Sequence, residues 1–560
     1  MTTANVGATS VPGILDRERI VAKAGFNRWM VPPAALAIHL CIGMAYGFSV
    51  FWKPLENLVP GPDGKAAPLC AAGATTFAQK LSGTIKALTA TDCNWSQFDS
   101  GLIYTFFFVL LGVAAAVWGF WLEHAGPRKA GIVSMLGWCG CLLLAALSVY
   151  THQLWLWLAS GVLGGIGLGL GYISPVSTLI KWFPDRRGLA TGMAIMGFGG
   201  GAMIGSPLAT LLIEHFKSAG SPGVWQTLAA MAAIYAVFMT IGAFGYRVPP
   251  SGWKPDGWTP PPVTNTMITS KNVHLRNAHK TPQFWLLSLI LCMNVSAGIG
   301  IIGTASPMLQ ETFGGQLIGS PETGFAALTD AQKAATGAIG AGFVGLISLF
   351  NILGRIVWAS SSDFFGRKAT YFIFFALGTL LYVLASLAAD WKSLLLFVAS
   401  FCIIASMYGG GFATIPAYLA DMFGTKFVGA IHGRVLAAWS TAGIVGPVIV
   451  NYLHDTRKEA NVPFGEIYGP IFYILAGMLV VGFVANLLVR PVNPKWHMSE
   501  AELAAERAAL HEKGAPESEG SFGIGKGGLD VRSLPLWLLV GVPLGWGVFK
   551  TVQKAILLFG

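Results

Sequence analysis

One arginine stands inside an otherwise apolar run. The run, Gly337 to Lys368, reads GAIGAGFVGLISLFNILGRIVWASSSDFFGRK, and Arg355 lies eight residues before Asp363 at its polar end. Helical spacing would put Arg355 roughly 12 Å inside that end. A guanidinium at such depth in a bilayer costs roughly 2.5–3.5 kcal/mol on insertion scales. Two outcomes offset that cost. The side chain binds an anionic partner in the protein interior, or it snorkels its head group to the interface. His39, also in an apolar run, is the one obvious titratable group at depth with a pKa near neutrality. It is a candidate for proton coupling, and equally a hydrogen-bonded packing residue. Cys70 and Cys93 lie in a polar loop. They form a disulfide if that loop faces an oxidising compartment, or they stay free thiols. The other cysteines (Cys41, Cys139, Cys141, Cys292, Cys402) lie in apolar runs and read as small packing residues.

Catalytic chemistry has little to work with. The sequence has no metal-spaced His/Cys cluster and no nucleophile elbow. Gly197 to Gly205 is glycine-rich, but it lies in an apolar run and lacks a following Lys-Ser/Thr, so it is no phosphate loop. No enzyme activity, cofactor or metal is expected.

The elements that must hold Arg355 are membrane helices. Of 560 residues, 54% are hydrophobic and only 11% charged, with mean hydropathy +0.61. A soluble domain carries about 25% charged residues. The net charge of +10 does not indicate nucleic acid, because the basic residues fall in short loops between apolar runs, as membrane orientation requires. The 71 glycines suit close helix packing in lipid.

Residues 1–27 read as a basic N-terminal tail with no cleavable signal peptide. Six apolar runs fill 28–246, interrupted by a long polar loop at 52–97. A Pro- and Trp-rich linker covers 247–283, and six more runs fill 284–490. Each is long enough to cross a core of about 30 Å. Residues 491–533 are a polar tail. Ser499 to Glu502 forms a capping-box pattern before a short surface helix, and Gly514 to Gly528 reads as flexible linker. Residues 534–559 turn apolar again. They form either a thirteenth spanning helix or an interfacial helix with Lys550 and Lys554 on its polar face. Arg128, Lys129, Lys181, Arg186, Arg187, Arg367 and Lys368, with the linker, place one set of loops and the N-terminus in the cytoplasm.

The halves repeat. Glu123-x-x-Gly126 and Asp363-x-x-Gly366 stand 240 positions apart, and so do Trp182-Phe-Pro-Asp-Arg-Arg-Gly and Met422-Phe-Gly-Thr-Lys. Two matches at one offset indicate duplication. Parallel repeats of six helices imply a binding site near the midplane between them. The expected fold is an all-α membrane protein of two six-helix bundles related by pseudo-two-fold symmetry.

The acidic-x-x-Gly-basic turns after helices two and eight resemble the signature loop of the major facilitator superfamily. Within it, four features are similar to the oxalate/formate antiporter family. They are Gly43-Met-Ala-Tyr-Gly-Phe-Ser-Val-Phe-Trp-Lys-Pro-Leu, Lys181-Trp-Phe-Pro-Asp-Arg-Arg-Gly-Leu-Ala, Lys280-Thr-Pro-Gln-Phe-Trp, and Arg355 eight residues before Asp363. The resemblance covers about residues 28–490. The extra C-terminal helix resembles a small subunit found with some members, fused here.

The resemblance implies transport of small carboxylates by alternating access at an inner membrane. It places Tyr46, Tyr172, Phe198, Tyr408, Phe412 and Trp439 around the substrate with Arg355. In oxalate-carrying relatives a lysine on helix eleven supplies a second cation; Trp439 occupies that position here. A dianion facing one guanidinium would keep an unpaired charge in a dry cavity, so a monocarboxylate such as formate, acetate, lactate or pyruvate is the better match. Oxalate is demoted, not excluded. Asn351, one turn before Arg355, stands where proton-linked monocarboxylate carriers resemble this arrangement but place an aspartate. Asparagine cannot titrate, so exchange is expected first and proton symport, through His39 or a proton on the substrate, second.

For gating, the signature residues Asp363, Gly366, Arg367, Glu123, Gly126 and Arg128 are the candidates. A carboxylate at a helix end can bond a neighbouring helix N-terminus and arginines. Glu123 replaces the usual aspartate, so Asp363 is the stronger of the two. The expected partners are a small organic anion and the lipid bilayer, with the chain monomeric. A rival of another class, a non-transporting membrane sensor, would keep the helices and need no buried cation in a cavity.

Overall fold

The computed structural model describes residues 13–55, 58–59, 67–70, 77–218, 221–250, 253–255, 257–258, 267–302, 304–511 and 531–555. The Gly514–Gly528 stretch lies outside the described residues.

In the N-terminal half the long helices are α1 Val31–Ile42, α2 Gln97–Ala125, α3 Pro127–Thr151, α4 Leu154–Trp182, α5 Arg187–Phe216 and α6 Val224–Gly245. The C-terminal half holds α7 Pro282–Ile302, α8 Asp330–Phe365, α9 Arg367–Asp390, α10 Leu394–Phe423, α11 Val428–Val435, α12 Ala437–Glu459 and α13 Gly469–Leu488. A last helix, α14, spans Leu534–Ala555.

The ends of these helices follow local chemistry. Ser96 and Asp99 make a capping box that starts α2, and Thr329 with Gln332 makes one that starts α8. Helices α2 and α8 each stop at a single glycine, Gly126 (φ 84°) and Gly366 (φ 83°). Only glycine adopts positive φ there without strain, so each acidic-x-x-Gly turn reverses the chain in one residue.

Among the described residues, twelve helices are long and apolar enough to cross a membrane. The expected eleventh is not one of them. It breaks at Leu436 into α11 and α12, and α12 ends in the polar His-Asp-Thr-Arg-Lys-Glu. The C-terminal segment Val531–Lys550 is one of the twelve. Helix α1 also changes character, continuing as a 3-10 helix over Gly43–Phe51. Helical irregularity of this kind often marks functional positions.

Small residues bring the halves together. A methyl on Gly192 of α5 would lie 2.5 Å from the Arg355 carbonyl oxygen of α8, and one on Gly119 of α2 would lie 2.9 Å from the Ala430 Cα of α11. Helix α14 packs against α1, α5 and α8, touching both halves. Trp537 donates from Nε1 to the Trp29 carbonyl (3.2 Å), and Val540 is buried on Leu36 and Ala37.

Cys70 and Cys93 are joined by a disulfide, with Cα atoms 5.0 Å apart. Asn94 ties the same loop to Pro68, Val59 and Ala67 through backbone and side-chain hydrogen bonds. His152, in the turn between α3 and α4, bonds the Cys93 carbonyl (2.7 Å) and stacks on Trp95.

Candidate functional site

Arg355 turns inward, not toward the interface. It is 2% exposed. Nε donates to Asn351 Oδ1 (3.0 Å), one turn back on α8, and Nη1 donates to the Ile195 carbonyl (2.9 Å) on α5 in the other half. Its Cζ sits 5.8 Å from the Phe412 ring centroid. Glycine makes the room. A methyl on Gly199 would lie 3.1 Å from Nε, and one on Gly409 3.1 Å from Cγ. Among the described residues no carboxylate lies within 4.0 Å of the guanidinium. The cation is therefore held by neutral acceptors, and its charge stays uncompensated.

Aromatic rings close around it, with Trp439 as their centre. Its ring lies 4.5 Å from Phe412, 5.3 Å from Tyr172, 5.5 Å from Phe108, 5.6 Å from Phe198 and 6.4 Å from Tyr46. Phe412 also meets Tyr408 at 5.2 Å. Tyr46, Phe108, Tyr172 and Phe198 come from the N-terminal half and Phe412, Tyr408 and Trp439 from the other, so the cluster sits on the seam. All but Tyr46 are buried.

Two donors in the cluster are idle. The Tyr172 hydroxyl and the Trp439 indole N–H have no hydrogen-bond partner among the described residues. The Tyr46 hydroxyl is different: it lies within weak hydrogen-bonding reach of both Tyr408 and Arg355, although none of these contacts has good geometry. A buried donor without an acceptor is costly. The two idle donors stand beside Arg355, whose own hydrogen bonds go to neutral oxygens.

His39 is fully buried beside this cluster, 5.3 Å from Tyr172 and 6.3 Å from Phe198 by ring centroids. Its Nδ1 faces the Ala194 carbonyl and its Nε2 the Tyr172 carbonyl (3.1 Å). The structure thus gathers Arg355, Asn351, His39, Tyr46, Tyr172, Phe198, Tyr408, Phe412 and Trp439. Sequence reasoning missed Phe108 on α2 and His432 on α11. His432 carried a signal: it stands seven residues before Trp439, two helical turns along one face.

At the signature-loop end three carboxylates are bonded across the seam. Asp363, at the end of α8, accepts from the Gly188 (2.7 Å) and Leu189 (3.1 Å) backbone N–H groups at the start of α5. Arg367 donates to Asp363 Oδ1 (2.6 Å) and Asp421 Oδ2 (3.1 Å), and Arg187 from the other half donates to Asp421 Oδ1 (2.7 Å). Glu123, at the end of α2, accepts from the Gly429 N–H (3.1 Å) of α11 and from Ser177 Oγ (3.0 Å), and it pairs with Lys181. Arg128 stands apart from Glu123. It donates to the Ile14 (2.8 Å) and Phe244 (3.2 Å) carbonyls and lies over the Phe244 ring. Lys181 of α4, not Arg128, is the cation paired with Glu123.

Two helical halves that meet around a buried cation, closed at one end by capped helices, define a polytopic membrane transporter. The chain belongs to the Major Facilitator Superfamily, whose model matches residues 69–348 and 323–559. It is 26% identical to the oxalate:formate antiporter of Oxalobacter formigenes, over 59% of this chain and 69% of that protein. It is 24% identical to apicoplast pyruvate carrier 1 of Toxoplasma gondii, over 50% of this chain and 56% of that one. Among solved structures, the Escherichia coli fucose:proton symporter superposes with TM-score 0.52 over 83% of this chain and all of its own, at 11% identity. That likeness concerns the fold alone.

Proposed function

We propose that this transporter carries small carboxylate anions, exchanging monocarboxylates such as formate, acetate, lactate or pyruvate across a bacterial inner membrane. The supporting observation is a buried Arg355 with no carboxylate within 4.0 Å among the described residues, set beside the Tyr172 hydroxyl and the Trp439 indole N–H. An anion rich in acceptor atoms satisfies those donors. A carboxylate pairs with one guanidinium through two parallel hydrogen bonds, and the rings accommodate a short apolar body. One cation suits one negative charge. The named activities of the Oxalobacter and Toxoplasma relatives are of the same chemical class.

In this reading residues 28–246 and 284–490 are the moving halves, joined by the linker 247–283 on the cytoplasmic side. Asp363 and Glu123, with Gly366, Arg367, Gly126 and Lys181, form the cytoplasmic gate. Release of the Asp363 and Glu123 caps lets the halves part and opens the Arg355 cluster to that face.

Counterflow into substrate-loaded proteoliposomes tests the reading. Labelled formate and lactate should enter, and Arg355→Ala should abolish entry while preserving the melting temperature. Oxalate should compete less well than either, and Trp439→Lys should improve its competition. Oxalate competing as well as lactate in the unsubstituted protein would overturn the single-cation argument.

Proton symport is the second reading, favoured by His39. Both of its ring nitrogens face carbonyl oxygens, so taking up a proton would give the ring a second hydrogen bond. Under this reading His39→Gln abolishes uptake driven by a pH gradient and leaves exchange intact.

A further inference from the structure

Along helix eleven the residues fall in a telling order. The Gly429 N–H is bonded by Glu123 at the gate. His432 follows, then the break at Leu436, then Trp439 in the Arg355 cluster. His432 on α11 therefore lies between the gate and Trp439, which follows on α12 beyond the break. It is 1% exposed, and neither ring nitrogen has a hydrogen-bond partner among the described residues. His39, fully buried as well, has a carbonyl at each nitrogen. Packing alone does not explain an imidazole whose donor and acceptor are both orphaned, since buried polar groups are normally satisfied.

Tyr172 links the two levels. Its ring lies 5.3 Å from Trp439 and 6.0 Å from His432, and its hydroxyl is also unpartnered. It comes from α4 in the N-terminal half, so the His432–Tyr172 contact spans the seam that must part for an anion to leave. The neighbouring approach is tight: a methyl on Gly433 would strike the Ala115 backbone of α2.

We propose that His432 forms a second station for the substrate carboxylate, between the Arg355 cluster and the signature-loop gate, with the Tyr172 hydroxyl shared between the two. The inference rests on the carboxylate reading above and deepens it. One imidazole N–H and one phenol O–H supply two neutral hydrogen bonds to a single carboxylate. Neutral bonds are weaker than those from a guanidinium, so the anion loosens stepwise as the gate opens. A small monocarboxylate fits such a station, which offers no second cation.

The test is sided kinetics on the full chain, with radiolabelled formate and lactate, in right-side-out and inside-out vesicles. His432→Leu should raise KM from the signature-loop face about tenfold, the loss expected for one buried hydrogen bond. KM from the opposite face should change less than about twofold, and His432→Gln, which restores an N–H, should recover most of the loss. Should the leucine variant fail to melt cooperatively, His432→Phe takes its place. An equal rise on both faces, or no rise at the signature-loop face, overturns the station. If the unsubstituted protein moves neither probe, the carboxylate reading itself falls. If Arg355→Ala stops transport but the His432 effect is not sided, only the station falls.

Discussion

The two signature loops occupy equivalent places in the two halves, yet they grip the opposite half differently. Asp363 takes two backbone N–H groups from α5, and the Arg367–Asp421–Arg187 chain adds a further link across the seam. Glu123 takes a single N–H from α11; its other partners, Ser177 and Lys181, belong to its own half. The two loops also differ by one methylene, glutamate in the first and aspartate in the second. The Glu123 carboxylate reaches α4, where it is shared between a serine and a lysine. The shorter Asp363 stays on the α5 terminus, where a helix N-terminus favours an anion. Duplication thus preserved the turn and shifted most of the cross-seam bonding to one side.

Asp363→Ala should disturb the closed state most. Two charge-assisted hydrogen bonds at roughly 1.5 kcal/mol each imply about a 100-fold shift toward opening at the loop end. Distances between spin labels placed at that end of each half would report it. Glu123→Ala removes one cross-seam bond, and about a tenfold shift is expected. A larger effect from Glu123 than from Asp363 would break the comparison. Lys181→Ala, at a side chain 24% exposed, should shift the ratio by no more than about fivefold, as partly solvated ion pairs are weak. Arg128→Ala should leave the ratio unchanged and lower the melting temperature, because its bonds hold the Ile14 segment and α6. A change in opening from Arg128→Ala would return it to the gate.

Much of this architecture was legible in the chain. Hydropathy located the spans because lipid demands continuous apolar runs. The 240-residue offset identified the repeat because both turns need the same glycine. Arg355 was conspicuous because a charge in an apolar run is rare. Other features left no local trace. The Arg187–Asp421 pair joins residues 234 positions apart, and each alone reads as an ordinary charge at a helix end. The substitution of Lys181 for Arg128 beside Glu123 depends on where α4 packs, not on spacing along α2 and α3. The break at Leu436 has no proline to announce it. His432 looked unremarkable because periodicity gives the face of a helix, not whether a ring finds partners there.

Helix α14 lies where α5 and α8 of opposite halves run side by side, and Trp537 and Val540 fasten it to α1. In a bare two-bundle carrier that flank would be sealed by whatever acyl chains drift past. Here the chain brings its own stave for the barrel, so the flank keeps a fixed neighbour while the lipids around it exchange.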